Sequence, residues 1–419
     1  MSLATGMGAA GSVFATATAT ATATAPKPGQ AHARNWIASW AASPQQAGPG
    51  PQGPGPDLGG RTLRQRVHLS AGGETLRLRL SNELSAAPLS IGAVTVALPD
   101  GVAGIRAGSS RPVTFSGRSA ALIPAGAPLV SDPVAFAVKP GTDVTISIYC
   151  PADAKSVTLH ADGLSTSVIS PPGDFTASSV MAQASTTTQR LLVSAVLVRA
   201  SAQARGIVAF GDSITDGTRS TVDADRRWPD VLAHRFAARG WTVGIANAGI
   251  AGNRLLRDGA GAGALARLDR DVLALPGVTH VIVLEGINDI GWPGAKWGEH
   301  YLEDPKNAPT AEDLIAAYRQ IIDRVHAHGA KVIGATLTPF EGTDLPGYYS
   351  AEKESVREAV NRWIRRSGAF DGVIDFDAAI RDPAHPSGAV PEFISGDHIH
   401  PTDAGYEAMG QAVPLELFH

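Results

Sequence analysis

Three short apolar runs, at residues 207–210, 243–246 and 281–284, each give way to small, amide or hydroxyl residues, with helix-like stretches between them. Short unbroken apolar runs bounded by turn residues read as buried strands, and strands alternating with helices read as a parallel sheet. In an open parallel α/β sheet the carboxyl ends of the strands share one edge. Ser213 after the first run, Gly249 after the second and Asn288 after the third are therefore expected to converge. Helices are expected at 226–239, 264–275, 310–328 and 350–366, and further strands at 331–337 and 373–376. Pro229 and Gly240 bracket the first helix, and Thr310 and Asp313 are spaced as a capping box. The expected architecture is a flavodoxin-like, doubly wound parallel sheet in the order 2-1-3-4-5.

A serine in Gly211-Asp212-Ser213-Ile214 is weak evidence alone, because such turns are common. Near the C-terminus, however, Asp397 precedes His400 by three positions, and Pro401 follows. A serine hydroxyl needs a base within hydrogen-bond reach and the base needs an orienter, roles that Ser213, His400 and Asp397 can fill. His398 is the rival base; the spacing from Asp397 and the following Pro401 favour His400. Asp212 and Asp216 read as turn-capping and helix N-terminal carboxylates, Asp289 as a loop-positioning group, and Asp375 and Asp377 as solvated strand-end acids. No metal and no cofactor is expected.

These residues give the chain a resemblance to the SGNH hydrolases, or GDSL-type esterases. Ser213 stands in Gly-Asp-Ser-Ile against the family's Gly-Asp-Ser-Leu, Gly249 in Asn-Ala-Gly, Asn288 in Gly-Ile-Asn-Asp, and Asp397 and His400 in Asp-x-x-His-Pro. The resemblance covers roughly residues 205–419. It implies ester hydrolysis through an acyl-enzyme, with Ser213, Asp397 and His400 catalytic. The oxyanion would be met by the N–H groups of Ser213 and Gly249 and the Asn288 amide, each such donor worth ~3–4 kcal/mol.

The 419 residues exceed one typical domain, and 44% hydrophobic with 18% charged residues suffices for two cores. A net charge of −4 without a Lys/Arg run implies neither nucleic acid nor an anionic membrane surface as partner. Cys150, the single cysteine, rules out an intramolecular disulfide and a Cys-based zinc site. No stretch approaches the ~18 apolar residues of a membrane span.

Residues 1–34, alternating Ala and Thr over 15–25, read either as an export leader, which would make the protein secreted or periplasmic, or as a disordered low-complexity segment. Residues 44–60 read as an extended loop. From 35 to 203, short alternating strands are expected at 36–40, 76–80, 91–98, 134–138, 144–149, 157–160 and 191–198, with no helix. This reads as an all-β, jelly-roll-like sandwich domain preceding a catalytic domain at 204–419. That layout, with the Arg-Leu-Ser-Asn run at 79–82, resembles the acetylxylan-esterase-type members of the SGNH group.

The segment 291–309, directly after Asn288, holds Trp292, Trp297, His300 and Tyr301. Loops longer than ~12 residues are often functional. Trp292 and Trp297 could form a substrate wall or anchor the loop. The expected activity is removal of acetyl or other short acyl groups from small-molecule or polysaccharide esters. General short-chain, aryl-ester or lactone hydrolysis is the alternative, and a non-catalytic binding module is a third reading.

Overall fold

Leu76, Leu78 and Leu80 are fully buried while Arg77 and Arg79 between them are partly exposed, the period-two pattern of a strand with one face on a core. The computed structural model describes Ser2 and residues 36–48 and 54–419. The expected leader therefore lies outside the described residues apart from Ser2, as does the middle of the expected loop at 44–60.

The strand-rich region contains β1 (Trp36–Ala41), β2 (Arg61–Leu69), β3 (Gly73–Ser81), β4 (Ala93–Ala97), β5 (Val134–Val138), β6 (Thr142–Cys150), β7 (Ser167–Pro172) and β8 (Val193–Arg199), with shorter strands between. One antiparallel sheet orders β1, β8, β3 and β5. A second orders β7, β2, β6 and β4. Their inward residues, Leu76 and Leu78 of β3, Leu63 and Val67 of β2, Ile146 and Ile148 of β6, belong to one buried apolar cluster. Among the described residues this region holds no helix. The strand expected at 157–160 shrinks to Leu159–His160.

The second core surrounds five parallel strands, β9 (Arg205–Gly211), β10 (Val243–Gly249), β11 (Val278–Leu284), β12 (Lys331–Ala335) and β13 (Gly372–Ile374). They lie in the order β10-β9-β11-β12-β13, the expected 2-1-3-4-5. β9 is buried along nearly its whole length, as a strand covered on both faces must be. The helices are α1 (Ser213–Asp216), α2 (Trp228–Ala238), α3 (Ala264–Leu268), α4 (Ile287–Gly291), α5 (Ala311–Ala327), α6 (Ala351–Arg366), α7 (Phe376–Ile380) and α8 (Asp403–Ala412). They pack in two groups, α2 and α7 on α8, and α3 and α6 on α5. The capping box at α5 is present, Thr310 Oγ1 accepting from Asp313 N at 3.2 Å and Asp313 Oδ2 from Thr310 N at 2.9 Å.

Two further expectations need correction. The helix expected at 264–275 is α-helical only to Leu268; Asp269–Leu273 widens into a π-type turn in which Ala274 N–H reaches the Asp269 carbonyl. The strand expected at 373–376 stops at Ile374, because Asp375 caps α7 by accepting from Ala378 N at 3.1 Å.

The strand-rich region covers the edge of the parallel sheet. β1 lies against β10. A Cβ at Gly244 would run into the Ala38 carbonyl oxygen, so only glycine permits the approach. Ser70 Oγ accepts from Ile245 N at 2.8 Å, giving the edge strand a hydrogen bond that it lacks on that side. From Trp36 onward the described residues form one compact unit.

Candidate active site

Gly211 ends β9 where a Cβ would strike the Leu284 carbonyl and the Thr215 side chain. Asp212, extended at φ −94°, accepts from Ile214 N at 2.9 Å and so caps the single turn of α1, with Ser213 as its first residue. Register sets Gly211 beside both Gly249 and Leu284, so β9, β10 and β11 end level. Ser213, Gly249 and Asn288 follow from that one sheet edge.

Ser213 Oγ lies 2.8 Å from His400 Nε2, and His400 Nδ1 lies 2.9 Å from Asp397 Oδ2. A carboxylate only accepts, so the Nδ1 proton points to Asp397 and Nε2 is left to accept from the serine hydroxyl. The other carboxylate oxygen of Asp397 accepts from Ile399 N and His400 N, both at 3.0 Å, and from Ser395 Oγ at 2.8 Å. Burial pushes the Asp397 carboxyl up, but the His400 hydrogen bond and charge and these backbone N–H groups outweigh it and hold the group well below the ordinary carboxylate range. Arg219 Nε adds a fifth donor, 2.9 Å from Oδ2. His398, in the left-handed region at φ 55°, lies against Gly342 instead of Ser213.

Of the three expected oxyanion donors, the Ser213 N–H stands at the first position of α1, where no helical carbonyl can take it. Asn288 is 5% exposed; its Nδ2 donates to the Asn253 carbonyl at 2.9 Å. The Gly249 N–H already donates to Asn247 Oδ1 at 2.9 Å and would have to share that bond. A Cβ at Gly249 would collide with the Asp216 backbone nitrogen.

Trp292 and Trp297 part company. The Trp292 indole N–H donates to Asn288 Oδ1 at 3.0 Å, with the Arg254 guanidinium 5.1 Å from its ring centroid. Trp297 is 76% exposed on a two-stranded ribbon, Lys296–Trp297 with His300–Tyr301.

Sequence reasoning missed the groups beneath these residues. Arg267, fully buried, donates to the Gly211 carbonyl at 2.9 Å, the Ala248 carbonyl at 2.7 Å and Asn253 Oδ1 at 2.8 Å, tying the ends of β9 and β10 to the Asn253 loop. Asp271 at 3.2 Å balances its charge, and Glu285 lies 3.6 Å away. Burial pushes Glu285 well above the ordinary range and Asp212 up to about 7. His160, from the strand-rich region, places Nε2 2.9 Å from Asp216 Oδ1 and Nδ1 3.1 Å from the Ser43 carbonyl. Burial pushes this imidazole down, but the charge of Asp216 outweighs it and raises it. Asp216 Oδ2 in turn accepts from Ala251 N at 3.0 Å, just beyond Gly249.

Among the described residues the one grouping of metal-ligand types is His68, Asp143 and Asp225. Arg66 lies 2.8 Å from Asp143 and 3.4 Å from Asp225, so a guanidinium already balances those carboxylates. Asp375 and Asp377 are likewise paired, both with Arg365 and the latter also with Arg357 and Arg381.

No curated protein matches the chain significantly. Among solved structures, the lipase/acylhydrolase from Enterococcus faecalis is similar at 22% identity, covering 50% of this chain and 92% of that one, TM-score 0.37. The carbohydrate acetylesterase Est24 from Sinorhizobium meliloti is similar at 16% identity over 50% and 95% of the two chains, TM-score 0.38. The aryl esterase from M. smegmatis is similar at 17% identity over 50% and 95%, TM-score 0.39. Residues 209–408 match the model of the GDSL-like lipase/acylhydrolase family.

Proposed function

We propose that this protein is a serine ester hydrolase that removes acetyl or other short acyl groups from carbohydrate esters through an acyl-enzyme. The observation that carries the chemistry is the unbroken chain Ser213 Oγ, His400, Asp397. In this reading His400 Nε2 takes the hydroxyl proton as Ser213 Oγ attacks the acyl carbon, and Asp397 holds the imidazolium that forms. The Ser213 N–H and the Asn288 amide meet the oxyanion, joined by Gly249 if its N–H is shared. His400 then gives its proton to the departing alkoxide, and a water deprotonated by the same nitrogen releases the acid.

The carbohydrate part of the proposal leans on the strand-rich region, read as a jelly-roll-like accessory domain at 35–203 ahead of a catalytic domain at 204–419, on exposed Trp297, and on export by a leader at 1–34; the first of these is fold-level analogy. A general short-chain, aryl-ester or lactone hydrolase is the second reading. Trp292 favours it, because an indole engaged with Asn288 is one stacking surface fewer for a sugar.

Ser213→Ala should cut turnover of an activated acetate by at least ~10³-fold, and a phosphonate should label Ser213 in the wild type. Retained activity in the alanine variant would overturn the proposal. Acetylated xylan, aryl acetates and simple lactones assayed side by side separate the two substrate readings.

A further inference from the structure

The amide of Asn288 can point only one way. Its Oδ1 faces the Trp292 indole N–H at 3.0 Å and the Tyr348 hydroxyl at 2.8 Å, while its Nδ2 faces the Asn253 carbonyl at 2.9 Å. An indole N–H only donates and a carbonyl only accepts. Flipping the amide would set N–H against N–H on one side and oxygen against oxygen on the other, within a site where Asn288 is almost fully buried. Nδ2 carries two hydrogens; the Asn253 carbonyl takes one.

The partners are themselves fixed. Tyr348 is 1% exposed and its ring lies over Gly291, where a Cβ would strike the ring carbons. Phe340 packs edge-on against that ring, centroids 6.0 Å apart. Lys353 Nζ donates to the Gly291 carbonyl at 2.7 Å and the Gly347 carbonyl at 2.6 Å, joining the segment that carries Tyr348 to the end of α4. Arg254 lies over the Trp292 ring and pairs with Glu303 at 2.7 Å. Two segments far apart in sequence thus meet at one side-chain oxygen.

We infer that Trp292 and Tyr348 are positioning residues that hold the Asn288 amide with its second N–H toward the substrate carbonyl oxygen. The inference rests on the reading of Ser213 as nucleophile. It gives Trp292 a duty indifferent to the alcohol part of the ester.

The test measures kcat and KM of full-length Tyr348→Phe and Trp292→Phe on a small activated acetate and on a bulky aryl ester, each variant also made on Asn288→Ala. Tyr348→Phe keeps the ring that packs on Gly291, and the thermal transition of each variant confirms folding. Each single change should lower kcat by ~10-fold or more, within the loss that removal of an oxyanion donor itself gives. KM should stay unchanged, the factor should be the same on both esters, and on Asn288→Ala neither change should cost anything further. Undiminished kcat in a folded variant, a loss confined to the bulky ester, or a full additional loss on Asn288→Ala would each overturn the inference. Phosphonate labelling of Ser213 runs in parallel. Labelled Ser213 with unaffected Tyr348→Phe sinks the positioning role alone, whereas activity retained in Ser213→Ala removes the reading beneath it.

Discussion

Asp289 is 4% exposed, yet its two carboxylate oxygens accept from Leu255 N at 2.6 Å and Leu256 N at 2.9 Å. It holds in place the loop that supplies Asn253, the loop-positioning duty that its place beside Asn288 suggested in the sequence. Burial outweighs those hydrogen bonds and pushes its carboxyl up to about 6. A raised folded value means the native state holds a proton that the unfolded chain has lost, so this contribution to stability is complete below pH ~4 and disappears as pH rises through ~6. Asp289→Asn should remove it, flattening the fall in urea midpoint between those values by up to roughly 3 kcal/mol of stability. An unchanged pH profile would assign that slope to other buried acids. Reading such residues from sequence succeeds where spacing is local, as from Asp397 to His400. It fails for Arg267, Asn253 and Tyr348, whose partners lie on distant segments and whose residue types carry no local pattern.

At the scale of elements, strands and long helices were legible because their apolar periods are local, and the order 2-1-3-4-5 followed from alternation alone. The π-type turn at Asp269–Leu273 was invisible, since an apolar stripe is nearly the same whether the backbone bonds to the fourth or the fifth residue. The crossing of β1 over β10 was also out of reach. The apolar run at 36–40 announces a strand and cannot say against which sheet it packs. Gly244 marks that crossing. Gly244→Ala would press a methyl against the Ala38 carbonyl, and overpacking of this kind typically costs ~1–3 kcal/mol. A lowered urea midpoint at unchanged slope is the expected result; an unaltered midpoint would mean that β1 yields without cost.

Across the whole molecule, the two cores are joined by buried and part-buried polar bonds. Gln45 Nε2 donates to the Ala260 carbonyl at 2.6 Å, Arg227 Nη2 to the Gly163 carbonyl at 2.7 Å, and His160 meets Asp216 at 2.9 Å. Losing either region would exchange these bonds for bonds to water, a net loss of ~0.5–1.5 kcal/mol each. Residues 36–419 should therefore unfold in a single calorimetric transition, even though the strand-rich part and the parallel sheet have separate apolar clusters. Two resolved transitions would show that the halves stand independently.

The placement of β1 also bears on how the chain is made. Trp36–Ala41 leaves the ribosome well before its antiparallel partner Val193–Arg199 and the β10 strand that it covers. Before then β1 can meet the segment just after β2, where Ser39 Oγ donates to the Ala71 carbonyl and Ser70 Oγ to the Ser39 carbonyl, but its two long-range strand partners are missing, and contacts so distant in sequence form slowly. Synthesis must be all but past β10 before this first strand can close, and throughout that interval the nascent chain is open to chaperones and to misassembly.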